Sequence, residues 1–268
     1  MTKTLLENID SIPPLPESVQ EVERIYQNPD STFADMQKAI EKDPLLTAAI
    51  LRIVNSPMYG MKSTIKSIQQ AISLLGKDSV RTFVLNSAVD SNFTIDLSPY
   101  EMTKEQFTKA CETQLALMIN WLIRRSSKQL SILGPAAFLV DLGRVVISKT
   151  LIEDGKADVI KEALKSGEDI ANAEKTACGA QTTDVTATLF HHWNLDPDII
   201  HIIRYSDDPD GTYEEEKEMA AKLKVIRETV MPNGEITPES IETAKESIEE
   251  FELDLESFER ALDKVMAA

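Results

Sequence analysis

Three histidines, two cysteines, two tryptophans and nine glycines in 268 residues leave several classes of protein short of material. Cys111 and Cys178 stand far apart, with no CxxC and no Cys/His spacing, so they predict neither a disulfide framework nor a cysteine-based metal site. Two reduced thiols fit a cytoplasmic protein. No run of about 18 apolar residues is evident, and MTKTLLENIDSIPPLPES lacks both a basic n-region and an apolar h-region, which predicts neither a membrane span nor an export signal. Few glycines and little period-two alternation argue against sheets. Positive charge is scarce as well: the net charge is −17, and residues 212–268 carry −9 of it. That balance opposes a large phosphate-binding face and predicts no nucleic-acid partner. With no P-loop, dinucleotide fingerprint or GxSxG elbow, no cofactor is implied.

Helical spacing and helix punctuation recur instead. Thr32-x-x-Asp35 resembles a capping box ahead of Phe33, Met36 and Ile40 on one face. Asp43-Pro44 supplies an N-cap and a first-turn proline for a helix whose buried stripe is Leu46, Ala49, Ile50, Ile53 and Val54. Ser67-x-x-Gln70 starts another helix, Gly76 is placed to end it, and Asp78 or Ser79 opens the next, with Val80, Phe83 and Val84 inward. The stretch 91–103 predicts a connector. A helix near 103–125 follows, and Gly134-Pro135 predicts a break before the next. Further helices are expected at about 155–166, 168–178 and 183–193, then after Asp196-Pro197, at 214–230, 238–250 and 255–266. The expectation is an all-α chain in two packed helical groups, with an N-terminal group at 1–95, a core at 96–211 and acidic helices at 212–268.

FLVDLGRVVI, residues 138–147, places one carboxylate inside an apolar run. A buried Asp141 costs several kcal/mol of desolvation unless a cation, a metal or hydrogen-bond donors satisfy it. Helix N-terminal amides, Arg144 or another base are the structural candidates. A polar pocket taking a small anion or nucleotide is a functional one.

PPLPESV, DPLLTAAILRIVNSPMYG and SIQQAISLLGKDSVRTFVL have the order and spacing of the N-terminal half of an HDOD domain, the HD-related output domain of bacterial signalling proteins. AAFLVDLGRVVIS resembles the segment that in catalytic HD proteins carries adjacent His and Asp metal ligands. Here Val140 stands at the His position and Asp141 remains. GAQTTDVTATLFHHWNLDPDIIHIIRYSDDP resembles a later family stretch, with Thr182 at its first His, Asn194 for a Gly, and Ser206-Asp207 for a His pair. The resemblance implies an HD-like helical bundle whose metal ligands are depleted. Valine offers no donor and threonine a weak one, so only a hard cation held by Asp141, Asp184 and Asp207 could replace the imidazole set.

His191, His192 and His201 must supply any histidine site. The helical spacing of Val185, Leu189, His192 and Trp193 predicts a core-edge His192 and an outward His191. Asn55, Ser56, Tyr59 and Gly60 around Pro57 and Met58 form a helix-ending loop that either presents polar contacts to a partner or simply turns the chain. Three functions follow as expectations. The first is a non-enzymatic signalling module binding a protein partner, with Asn55, Ser56, Tyr59, Gly60, Asp141, Arg144, His192 and Trp193 as candidate contacts. The alternative is a metal-dependent phosphohydrolase of nucleotides or cyclic dinucleotides centred on Asp141. A helix-turn-helix using Lys62, Lys66, Lys77 and Arg81 on DNA is the third, opposed by the acidic balance.

Overall fold

A computed structural model describes residues 1–56, 64–92, 95–122 and 127–267. In chain order the helices are α1 (Lys3–Asp10), α2 (Glu17–Gln27), α3 (Phe33–Glu41), α4 (Pro44–Val54) and α5 (Ile68–Asn92). There follow α6 (Lys104–Leu122), α7 (Ser127–Leu139), α8 (Gly143–Glu153), α9 (Ala157–Ser166) and α10 (Ile170–Cys178). The chain ends with α11 (Thr182–His192), α12 (Pro197–Tyr205), α13 (Glu214–Thr229), α14 (Pro238–Glu250) and α15 (Leu255–Met266). No strand forms among the described residues; a single bridge joins Leu97 and Met102. Two compact units result, neither contiguous in sequence. The larger comprises Met1–Pro14, Thr94–Gln114 and Ala136–Leu255, the smaller Leu15–Phe93, Leu115–Pro135 and Glu256–Ala268.

In the smaller unit, local chemistry sets the helix ends. Thr32 and Asp35 form the reciprocal capping box of α3, and Asp43 accepts from the amides of Leu45 and Leu46 to start α4. Met36 and Ile40 are buried as their spacing predicts, but Phe33 is 58% exposed because it occupies the first position of α3, ahead of the covered face. Gly76 breaks α5 with φ +80° and ψ 164°, a conformation open essentially to glycine alone. The predicted break at Gly134-Pro135 does not occur: α7 runs through it. Proline has no N–H for the Ser131 carbonyl one turn earlier, and Arg81 Nη1 donates to that carbonyl instead at 3.2 Å. Arg81 itself is 1% exposed and forms a two-point pair with Glu23 at 2.7 Å on each arm. It therefore belongs to the core and offers nothing to DNA, while Lys62 lies outside the described residues.

The larger unit is organised on α8, where all residues from Gly143 to Leu151 except Lys149 are buried. A helix covered all round has no polar stripe, which explains the unbroken apolar run. Val145, Val146, Ile147 and Leu151 each contribute on the order of 1.5–3 kcal/mol by leaving water. Lys128–Glu153 is long and apolar enough to cross a membrane by composition, contrary to the sequence expectation, but its apolar window is 94% buried and the helix is interrupted at Val140–Leu142. Packing accounts for that composition. Against α8 lies α11, so close that a Cβ on Gly143 would sit 2.3 Å from the Thr182 carbonyl and 2.8 Å from the Thr186 amide. Thr186 Oγ1 donates to the Val140 carbonyl at 2.7 Å and accepts from the Gly143 amide at 2.8 Å, tying the two helices at the turn that holds Asp141.

Candidate functional site

Asp141 occupies the turn between α7 and α8 and is 5% exposed. Gln114 Nε2, on α6, donates to Oδ2 at 2.9 Å, and Arg144 Nη2 lies 3.3 Å from Oδ1. A second guanidinium comes from α13: Arg227 Nη2 is 3.5 Å from the same Oδ1. Arg227 also pairs through Nη1 with Asp207, which follows α12 and accepts from Thr183 Oγ1 at 2.6 Å. One guanidinium thus bridges two carboxylates. No helix N-terminal amide is needed to satisfy Asp141.

The electrostatics follow from this packing. Burial pushes the Asp141 carboxyl upward, but Arg144 and then Arg227, with the Gln114 hydrogen bond, outweigh it and hold the group below its ordinary range. The two arginines remain cationic, each raised by its carboxylates against the opposing cost of burial. Beside them Glu174, on α10, is 1% exposed and accepts from Tyr100 Oη at 2.7 Å, the Thr182 amide at 2.6 Å and Thr182 Oγ1 at 2.7 Å. Desolvation nevertheless raises its carboxyl above the ordinary value. The Arg144 guanidinium lies 5.5 Å from the centroid of the Tyr100 ring. Among the described residues, four buried side-chain atoms keep no partner: Gln114 Oε1, Arg144 Nε, Arg227 Nε and Glu228 Oε2. Next to this network opens a cavity of about 460 Å³, walled by Arg144 and by residues of α10, α11 and α13.

The residues present do not suit the metal centre that the resemblance to HD proteins implies. Val140 is wholly buried and has no donor atom, and both oxygens of Asp141 already face nitrogen donors. Asp184, in the first turn of α11, shares no hydrogen bond or ion pair with Asp141 or Asp207 among the described residues. Among those residues no group of three or more His, Cys, Asp or Glu side chains is positioned for a metal ion.

The other sequence candidates fall elsewhere. His191 and His192 are both exposed, so His192 is not at the core edge; α11 ends there, and Trp193 beyond it takes the buried place. Trp193 donates from Nε1 to the Pro13 carbonyl at 3.0 Å and stacks on Phe190 at 6.1 Å. His201 instead meets Thr212 Oγ1 at 2.6 Å and Glu216 at 2.9 Å. In the smaller unit, Asn55 clamps the chain by donating to the carbonyls of Leu51 and Ile65 and accepting from the Ile65 amide at 2.8 Å. Ser56 is half-buried, with its amide bonded to Ile53. Tyr59 and Gly60 lie outside the described residues. Sequence reasoning did not find Gln114, Tyr100, Glu174 or Arg227. Arg227 shares α13 with Lys217, Lys222 and Lys224, so nothing in the sequence marked it out.

The HDOD domain family matches residues 12–209, and the chain belongs to that family. A solved virulence factor from Campylobacter jejuni is 29% identical, with a TM-score of 0.59 over 97% of this chain and 94% of that one. A candidate phosphohydrolase from Shewanella amazonensis shares the fold at 20% identity, with a TM-score of 0.72 over 99% and 94% of the two chains. An uncharacterized protein of Treponema pallidum is 32% identical over 76 residues, which span 28% of this chain and only 15% of that protein.

Proposed function

We propose that this protein is a cytoplasmic, non-enzymatic regulatory module of bacterial signal transduction that acts by binding a protein partner, its HD metal centre having been replaced by an internal ion-pair network. The observation that carries this reading is the Arg227 guanidinium shared between Asp141 and Asp207. A fixed cation there neutralises the two carboxylates without coordinating water, so the chemistry that a divalent metal supplies, an acidified water and a clamp on phosphate, has no source. Membership of the HDOD family supports the signalling role.

The test is elemental analysis of tag-free protein purified without chelator, paired with a phosphohydrolase assay in manganese. Less than about a tenth of a metal ion per chain and no turnover are expected, since a site without imidazole binds first-row metals weakly. Stoichiometric manganese, iron, zinc or nickel, with turnover abolished in Asp141→Ala, would establish a carboxylate-based phosphohydrolase instead.

A further inference from the structure

The cavity walled by α10, α11 and α13 carries charges of both signs in nearly equal number, five carboxylates against four cations. Most of them are engaged within the protein. Arg144 and Arg227 face Asp141, Asp207 pairs with Arg227 and accepts from Thr183, and Glu174 accepts from Tyr100 and Thr182. Lys224 lies 3.9 Å from Glu228 and 5.4 Å from the centroid of the Phe251 ring, while Asp169 caps α10 through the Ala171 amide. Two charged side chains remain, Lys175 and Asp208, both exposed and neither making a side-chain hydrogen bond or ion pair among the described residues. They carry opposite signs.

Two carboxamides share the wall, Asn172 on α10 and Gln181 at the start of α11. Gln181 holds the N-cap position of α11 yet makes no side-chain cap bond, and neither amide has a side-chain hydrogen bond among the described residues. Each can both donate and accept. Among the described lining residues only Ile170 and Ala171 are apolar. A lone anion in such a cavity would face the carboxylates, and a lone cation would face the guanidinium groups. A molecule bearing one charge of each sign meets Lys175 and Asp208 together and leaves the wall balanced.

We propose that the cavity receives a free α-amino acid with an uncharged polar side chain, its carboxylate on Lys175, its ammonium on Asp208 and its side chain beside Asn172 and Gln181. A volume of about 460 Å³ accommodates a small ligand of this kind. The proposal adds a small-molecule input to the regulatory role and rests on the metal-free reading of the site. Binding therefore proceeds in EDTA.

Calorimetric titration in EDTA tests it with L-glutamine, with N-acetyl-L-glutamine, which lacks the ammonium, and with L-glutamine amide, which lacks the carboxylate. Wild type is expected to bind L-glutamine saturably and each analogue about tenfold or more weakly. Lys175→Gln and Asp208→Asn should each lose about tenfold for L-glutamine. Asp208→Asn should nevertheless match wild type for the N-acetyl analogue, and Lys175→Gln should match it for the amide, because the charge each variant lacks then has nothing to meet. A general structural defect would not give that reciprocity, and circular dichroism before titration confirms that each variant is folded. Equal affinity of wild type for L-glutamine and both analogues overturns recognition of a zwitterion. Tighter binding of L-leucine than of L-glutamine overturns the polar side chain. Absence of saturable binding of L-glutamine, L-serine and L-leucine by folded wild type up to about 10 mM overturns the receptor while leaving the regulatory reading intact. Binding that appears only when manganese is supplied overturns the metal-free reading itself.

Discussion

Asp141 and Glu174 are buried carboxylates in one network whose titrations oppose each other. Asp141 has a folded value below that of a free carboxyl, held down by Arg144 and Arg227 against the cost of burial. Its stabilisation is present above the unfolded value and is lost as pH falls through the folded one. Glu174 has a raised folded value, from 4.5, so its contribution is complete below 4.5 and is lost as pH rises through the folded value. Urea denaturation followed across pH 3 to 8 should therefore give Asp141→Asn a deficit that grows as pH rises through about 4, and Glu174→Gln a deficit that shrinks over the upper range. Parallel pH profiles for the two variants would contradict this. At neutral pH, Asp141→Asn is expected to cost about 3–5 kcal/mol, because it leaves Arg144 without its buried counter-charge.

At the scale of the element, two glycines make opposite demands. Gly143 is fixed by its neighbours: a methyl group there meets the backbone of α11, and Gly143→Ala should destabilise by about 1–3 kcal/mol or more. Gly76 is fixed by its own dihedrals, since nothing lies within 4 Å of an added Cβ. Gly76→Ala should therefore cost about 1–3 kcal/mol through strain alone. Thermal unfolding of the two variants checks both losses. Helix starts were legible because Thr32, Asp43 and Asp196 act on amides two or three residues away. The passage of α7 through Pro135 was not, because it depends on Arg81, distant in sequence. The same locality divides the site. Asp141 and Arg144 stand three residues apart and were readable together, whereas Arg227 arrives from α13.

The whole molecule carries a charge of −17, with more than half in its last 57 residues, and this repulsion is long-ranged in dilute buffer. Raising ionic strength from about 0.01 M to about 0.15 M shortens the screening length from about 30 to about 8 Å, and the melting temperature should rise with it. A fall would point to the ion pairs as the larger salt-sensitive contribution. The HDOD match, for its part, ends at residue 209, whereas Arg227 reaches Asp141 from α13 beyond it. A chain cut at the end of the matched stretch would therefore leave Asp141 one counter-charge short, so the matched residues alone do not complete their own interior.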